Sequence, residues 1–209
     1  MRSQAAIFRW LTSALVFAIV ACGGGSMGPV PGSSSNAAVD ICNCTPSEPA
    51  SSDYRHDAKH VGLSGPTGQT VSVADILAWE QGPSLPADAP RNGRELVEFL
   101  IPHAWLQFAW EVPGDCDLHL EISDVPDKTA PRVIVETPLD REFCPARRTI
   151  QQQLATHGFV LNGNSGELPA AVPVQVLGLA FQDFEHQRGS QFVRTVWEIH
   201  PAIVTLIGQ

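Results

Sequence analysis

Three short stretches of the chain carry ionisable side chains between apolar ones: residues 115–121, 183–186 and 197–201. Imidazole and carboxylate groups together are the ligand set of zinc, iron and manganese, and the same groups serve as general acids and bases. These stretches predict a small-ligand or divalent-metal site, or a catalytic centre. The candidate ligand residues are Asp117, His119, Glu121, Asp183, His186, Glu198 and His200.

A purely structural interpretation of the same residues stays open. His119 and His200 could donate to neighbouring carboxylates in a network that only holds a sheet face together. The sequence contains no H-E-x-x-H, G-x-S-x-G, P-loop or Gly-rich dinucleotide motif. We therefore assign no catalytic residue and no certain cofactor, and a divalent metal is the one cofactor that the pattern suggests.

The elements that would position these side chains are mostly strands. Asp117–Ser123 alternates strictly between polar and apolar residues, which is typical of a half-buried strand, and Leu118, Leu120 and Ile122 are expected to face inward. The one good helix is predicted over 146–157, where Gly158 ends it. The other predicted strands are 95–112, interrupted at Pro102, then 132–137, 172–184 and 194–207.

The order strand, strand, strand, helix, strand, strand predicts a mainly β domain, a five-stranded OB-like barrel. Residues 61–94 would be an N-terminal elaboration packed on it, and a small β-sandwich is the competing architecture. In such a barrel the second, third and fifth strands are neighbours. Their polar residues, with His119 and His200 among them, would then share one outward-facing surface that OB-folds use for ligands.

The N-terminus has the pattern of an export signal. Arg2 and Arg9 precede an apolar run of about ten residues, which is too short to span a bilayer. The run Ile19-Val20-Ala21-Cys22 resembles the bacterial lipobox, which implies cleavage after residue 21 and lipid on Cys22. An ordinary secreted protein cut near Ala21 is the alternative. If the host is Gram-negative, Gly23 after the cysteine points to the outer membrane.

Composition divides the chain into a signal peptide (1–21), a flexible tether (22–60) and a folded domain (61–209). The tether is rich in Gly, Ser and Pro. Without residues 1–21 the chain keeps 22 acidic residues against 11 basic ones, a net charge of −11 with histidine neutral. This charge opposes a nucleic-acid partner, which normally needs a basic surface.

Four cysteines remain besides Cys22, and outside the cytoplasm an even number predicts disulfides. If Ser123 lies opposite Arg132 in a hairpin, a short return brings Cys144 close to Cys116. We therefore predict a Cys116–Cys144 bond. Cys42 and Cys44 would pair with each other or with another chain.

Two family resemblances follow from longer segments. DCDLHLEISD, PRVIVETP, FCPAR, PVQVLGLAFQDFEH and VWEIHP occur in this order over residues 71–209 and together resemble a group of bacterial secreted proteins. This resemblance implies export but no particular activity.

The second resemblance is to the staphylococcal-nuclease-like barrel. Asp115-x-Asp117, Arg132-Val-Ile-Val-Glu136-Thr137-Pro138 and Arg194 are similar to the family's acidic and arginine positions. The resemblance implies Ca²⁺ at Asp117 and Glu136, and charge stabilisation of a phosphodiester transition state by Arg132 and Arg194. Three departures from the family pattern are present. Glu136 replaces an aspartate, and Arg132 lies one residue closer to its acid. Leu139 replaces the catalytic base, which removes the activator of the attacking water.

The sequence thus favours a lipid-anchored, extracytoplasmic, non-enzymatic OB-like module that binds a small ligand or a protein, or has a structural role. A metal-dependent hydrolase, such as a phosphodiesterase, is the alternative.

Overall fold

The computed structural model describes residues 39–161, 165–184 and 189–208. The predicted signal peptide, the lipidation site Cys22 and the candidate ligand His186 lie outside the described residues.

Five strands close into a barrel, and a sixth short strand extends it. The strands are β1 (Gln69–Thr70), β2 (Glu98–Glu111), β3 (Leu118–Ser123), β4 (Arg132–Thr137), β5 (Ser165–Gln182) and β6 (Val193–Leu206). They are ordered β1-β2-β3-β4-β6-β5, and β2 also pairs with β5, which closes the ring. The β1–β2 and β4–β6 pairs are parallel and the others antiparallel. The predicted mainly β, five-stranded OB-like barrel is confirmed.

The β3–β4 hairpin has the register in which Ser123 would lie opposite Arg132, as the sequence analysis assumed, with Leu118 opposite Thr137 and Ile122 opposite Val133. Leu118, Leu120 and Ile122 are fully buried in the core. Each such side chain contributes about 1.5–3 kcal/mol by its burial. The polar residues between them on β3 are buried as well, so the opposite face of this strand is covered rather than solvated.

Three short helices pack on the barrel: α1 (His56–Lys59), α2 (Val73–Leu77) and α3 (Cys144–Thr156). The predicted helix corresponds to α3, which begins two residues earlier than expected and is followed by Gly158 in the left-handed conformation (φ 76°). Ile150 and Leu154 bury its inner face. No helix among the described residues is long and apolar enough to cross a membrane.

Residues 39–60, which we call the N-terminal segment, pack against the barrel. The composition of residues 22–60 predicts a flexible tether, but Ile41, Arg55 and Lys59 of this segment are buried. The buried Arg55 guanidinium binds both carboxylate oxygens of Glu95 at 2.7 and 2.8 Å. A paired, buried arginine fixes the segment to the domain, so residues 39–60 belong to the folded domain and not to a flexible tether.

The disulfides also differ from the expectation. The predicted Cys116–Cys144 bond is wrong: Cys42 bonds Cys144, and Cys44 bonds Cys116, with Cα–Cα distances of 5.7 and 5.9 Å. The reason is the course of the N-terminal segment, which runs along one end of the barrel. There the Ser47 amide donates to the Pro113 carbonyl at 3.0 Å. Both cysteines of the segment therefore reach barrel cysteines, and each bond attaches the segment to the domain.

Candidate functional site

A cleft of about 1080 Å³ separates the N-terminal segment from the barrel. Its barrel wall comes from β3, β4 and β6, which contribute His119, Glu136 and Glu198. Its opposite wall carries His56 and His60 from the N-terminal segment. Part of the polar face that the sequence places on three neighbouring strands thus lines a cleft that the N-terminal segment covers from one side.

Glu136 lies between the two histidines of the barrel. One of its oxygens is 2.9 Å from His119 Nδ1, and the other is 3.0 Å from His200 Nδ1. His200 is fully buried and His119 is 5% exposed. The structure therefore brings His119 and His200 together through Glu136. In the sequence, Glu136 was a possible calcium ligand only through the nuclease resemblance and was not one of the seven candidate ligand residues.

Asp117 completes the cluster from the start of the β3 hairpin. Its Oδ1 accepts a hydrogen bond from the Leu139 amide at 3.1 Å. Its Oδ2 lies 3.1 Å from His200 Nε2. Both atoms are fully buried, and neither has a partner besides the other. They are two ligand-type atoms that converge on one point.

Asp117, Glu136 and His200 can hold a metal ion, since each offers one ligand atom and these atoms lie within 4.8 Å of one another. Two ligands on a tetrahedral zinc ion are roughly 3.4 Å apart when each bond is about 2.1 Å long, close to the separation of Asp117 Oδ2 and His200 Nε2. Glu198 Oε1 lies 3.4 Å from His200 Nδ1. A carboxylate on the second ring nitrogen is the usual support of a metal-binding histidine.

The ionisation of the cluster follows from its charges. Burial opposes the charged form of His119, but hydrogen bonds with the Glu121 and Glu136 carboxylates outweigh it and raise the pKa of His119 to about 9. Burial likewise opposes a charged His200, yet Asp117, Glu136 and Glu198 hold its pKa well above the ordinary value. The two imidazoles in turn outweigh burial at Glu136 and hold the pKa of its carboxyl far below the usual range. Without a metal, the cluster is a network of ions.

Glu121 belongs to a neighbouring structural contact and not to the cluster of metal ligands. Its carboxylate accepts hydrogen bonds from the Arg132 guanidinium at 3.1 Å and from the Ser190 amide and hydroxyl at 2.5 and 2.6 Å. Arg132 is fully buried and also binds both oxygens of Glu167. Both of its terminal nitrogens are committed to protein partners, so it does not face a substrate as the nuclease resemblance implies.

Arg194, the second arginine of that resemblance, lies outside the cleft. Its guanidinium donates to the backbone carbonyls of Gln191 and Val193 on an exposed part of β6. The structure thus brings together the two carboxylates of the resemblance, Asp117 and Glu136, and separates both arginines from them.

Acidic side chains outnumber basic ones in the described lining of the cleft. Among the described residues, its lining contains one lysine, Lys59, and no arginine. Burial opposes a charged Lys59, but Glu136, Glu198 and Asp53 outweigh it and raise its pKa further above the ordinary value. The lining carboxylates are Glu48, Asp53, Asp115, Glu136, Asp140, Asp183 and Glu198.

Asp183 lines the cleft beside Phe184, and its Oδ1 accepts a hydrogen bond from the Phe184 amide at 2.9 Å. It lies just past the end of β5, whereas the metal cluster is formed by β3, β4 and β6. Asp183 is therefore a cleft residue outside that cluster.

Sequence analysis missed the histidines of the N-terminal segment. Asp53, His56 and His60 form a second group whose ligand atoms lie within 4.8 Å of one another. They belong to a stretch whose Ser, Pro and Ala content predicts a flexible tether. The signal that identifies them is their spacing, Asp-x-x-His-x-x-x-His, because histidines four residues apart share one side of a helical turn.

Comparisons with protein-family models, with curated proteins and with solved structures gave no match to this chain. The function is therefore inferred from the geometry of the site.

Proposed function

We propose that the chain is an exported, lipid-anchored binding domain that takes a divalent metal ion at Asp117, Glu136 and His200, of which Glu136 lines the cleft. The observation that carries the metal site is the convergence of two buried ligand-type atoms, Asp117 Oδ2 and His200 Nε2, which lie 3.1 Å apart and have no partner besides each other. A metal ion between these atoms would take the place of the proton in this contact and bind both of them.

The surrounding groups support this assignment. Glu198 lies 3.4 Å from His200 Nδ1, which is also 3.0 Å from Glu136, and these carboxylates would fix the tautomer that leaves Nε2 available as a ligand. The carboxylate-rich lining would attract a cation and repel phosphate or nucleic acid. Mixed imidazole and carboxylate ligands favour zinc, manganese or iron over calcium, which prefers six to eight oxygen ligands.

Export and anchoring are supported by the sequence alone. The lipobox-like run before Cys22 and the Gly- and Ser-rich stretch after it are typical of a tethered lipoprotein. Two disulfides suit a protein that folds outside the cytoplasm. The domain would bind its ligand at the cell envelope.

The metal site is tested by zinc titration. The purified, EDTA-treated protein, prepared without a histidine tag, is titrated with Zn²⁺ in a calorimeter, with Mn²⁺ and Ca²⁺ as comparison ions. We expect His200→Ala and Asp117→Asn to lose one equivalent of bound zinc. Glu198→Gln should retain that equivalent and bind it 10–100-fold more weakly, since it alters only the support of a ligand.

The control for these variants is His103→Ala, because His103 is exposed on β2 and is not among the described residues that line the cleft. It should bind zinc as the unchanged protein does. Circular dichroism verifies that each variant is folded. Zinc binding that is unaffected in folded His200→Ala and Asp117→Asn would show that these residues only form an ion network.

A metal-dependent hydrolase is a second candidate, favoured because Glu136 of the cluster lines a cleft wide enough for a substrate. Three protein ligands would leave a coordination position for water, whose pKa a metal lowers. With Arg132 committed to Glu121 and Glu167, no arginine lines the described part of the cleft to stabilise a phosphodiester transition state. We therefore rank binding above hydrolysis.

Hydrolysis of bis(p-nitrophenyl) phosphate separates the two candidates. A hydrolase would turn it over in the presence of Zn²⁺ or Mn²⁺ and lose that activity in Asp117→Asn. We expect the zinc-loaded protein to leave the substrate intact.

A further inference from the structure

A second group of ligand-type side chains lies on the opposite wall of the cleft. His56 is the first residue of α1, and His60 follows the last, so the two are four positions apart. Their ring centroids are 4.0 Å apart. Asp53, three residues before His56, completes the group, with all three ligand atoms within 4.8 Å of one another.

We infer that Asp53, His56 and His60 form a second divalent-metal site, separate from the one at the barrel floor. Its ligand class is a borderline transition metal such as zinc, because two imidazoles and one carboxylate are a frequent ligand set of such ions. The inference concerns different residues from the proposed function and does not depend on it.

The orientation of His60 is the first argument. Its Nδ1 lies 2.6 Å from Asp140 Oδ2, and its Nε2 is buried without a hydrogen-bond partner. A carboxylate on Nδ1 keeps the ring proton on that nitrogen. The lone pair of Nε2 is then available to a metal, and Nε2 is a better ligand. Asp140 comes from the turn before α3, so the barrel domain itself orients a histidine of the N-terminal segment.

The rigidity of the turn is the second argument. Arg55, directly before His56, has left-handed backbone angles (φ 54°), which are uncommon for a residue with a side chain. Its guanidinium is buried and bound to both oxygens of Glu95. This anchor holds the following turn in place and presents His56 and His60 on the same side.

Lys59 occupies only one oxygen of Asp53. Its ammonium group binds Asp53 Oδ1 at 2.8 Å, while the other oxygen, Oδ2, lies 3.3 Å from His56 Nδ1. One carboxylate oxygen therefore remains on the histidine side. A largely buried ion network of Asp53, Lys59 and His56 is the alternative to a metal site, and zinc stoichiometry distinguishes the two.

The two sites would be neighbours. The rings of His60 and His200 meet edge to face, with their centroids 6.4 Å apart. The second site would therefore lie directly against the first, with one held by the N-terminal segment and the other by the barrel.

Zinc stoichiometry tests this inference. The purified, untagged, EDTA-treated protein should bind two equivalents of Zn²⁺ by calorimetry and by elemental analysis after gel filtration. His56→Ala and His60→Ala should each bind one, and Asp140→Asn should bind the second ion 10–100-fold more weakly. His56 is one-third exposed, so its replacement spares the fold. His103→Ala is again the matched control.

Different outcomes separate this inference from the proposed function. Zinc binding by His56→Ala and His60→Ala that matches the unchanged protein would overturn the second site, whatever His200→Ala does. Loss of one equivalent in His56→Ala and His60→Ala, with no loss in His200→Ala, would support the second site and refute the first. If His60→Ala does not fold, His56→Ala and Asp140→Asn still decide the question.

Discussion

At the scale of single residues, Glu136 connects the two barrel histidines, and its side chain is only 12% exposed. In Glu136→Gln both imidazoles would lose an anionic partner, so we expect the metal-free protein to lose about 3 kcal/mol of unfolding free energy. Urea denaturation in EDTA measures this loss. The same substitution should weaken zinc binding, because an amide is a poor substitute for a carboxylate ligand.

Asp40→Asn provides the comparison, since Asp40 is 33% exposed and pairs with Arg148, which is 49% exposed. Exposed ion pairs contribute little to stability, so this variant should be nearly as stable as the unchanged protein. Equal losses for the two variants would contradict a special role for Glu136.

Gly189 covers His119 from the loop before β6. Its φ of 52° favours glycine, and an added Cβ would lie 2.9 Å from His119 Nε2 and contact Glu121 Oε1. We expect Gly189→Ala to destabilise the protein by about 1–3 kcal/mol, from backbone strain together with displacement of these side chains. Gly158→Ala has a similar positive φ but open space around its Cβ, so thermal unfolding of the two variants separates crowding from strain. Equal melting temperatures would contradict the predicted crowding.

At the scale of elements, the N-terminal segment forms one wall of the cleft and is held by two disulfides. Replacing Cys44 and Cys116 by serine should cost about 2–4 kcal/mol of stability. It should also weaken zinc binding at Asp53, His56 and His60 more than at the barrel floor. The reason is that these three residues belong to the N-terminal segment, which the Cys44–Cys116 bond attaches to the barrel. Titration of the double variant in the His200→Ala and His56→Ala backgrounds measures each site alone. Weakening confined to the barrel floor would refute this division.

The Arg55–Glu95 pair anchors the same wall and should make stability depend on acid. Burial raises the pKa of the Glu95 carboxyl, but hydrogen bonds from Arg55 and from the Gln182 and Asn92 amides outweigh it and lower the pKa below 4.5. A lowered pKa in the folded state stabilises the protein above the unfolded value, and this contribution is lost as the pH falls.

Glu95→Gln should therefore lose about 3–5 kcal/mol at pH 7, since it breaks a buried pair. The difference between the variant and the unchanged protein should shrink as the pH falls below 4.5. Denaturant titrations at pH 7, 5, 4 and 3 measure it. A difference that stays constant over this range would show that Glu95 does not act through its charge.

The barrel could be predicted from sequence because each strand has its own local pattern. The alternation of Leu118, Leu120 and Ile122 fixes both the inward face of β3 and its register with β4. The N-terminal segment lacks such a pattern. It is fixed by isolated long-range contacts, such as that of Arg55 with Glu95 forty residues away. For the same reason the disulfide pairing could not be derived, since it depends on where that segment lies.

The candidate site divides in the same way. Period-2 geometry on β3 and β6 predicts that His119 and His200 approach each other, and their common partner Glu136 lies on the strand between. His56 and His60 were missed because the Gly, Ser and Pro content of residues 22–60 predicts a flexible tether, and the spacing of the two histidines was not considered. The burial of the polar face also could not be predicted, because the covering segment was assigned to the tether.

At the scale of the whole molecule, we expect the domain to remain on the membrane through lipid on Cys22. Cys22→Ser should move the protein from the membrane fraction to the soluble fraction of the envelope, because the apolar run before residue 22 is too short to span a bilayer. Fractionation and incorporation of labelled palmitate measure this change. A Cys22→Ser protein that stays with the membrane and a wild type without lipid would contradict the anchor.

The net negative charge of the chain is consistent with cation binding by the domain. The acidic lining of the cleft repeats, on a local scale, the excess of acidic residues in the sequence. An anionic ligand would need a bound metal to offset such a field. The metal would thus be part of the binding surface.

The central claim is that Asp117, Glu136 and His200 hold a metal ion, and anomalous diffraction from crystals grown with Zn²⁺ tests it most directly. Data collected above and below the zinc absorption edge should show a peak within about 2.3 Å of Asp117 Oδ2 and His200 Nε2. A fully occupied crystal with no peak at this position, and with His200 Nε2 bonded to Asp117 or to water, would contradict the claim.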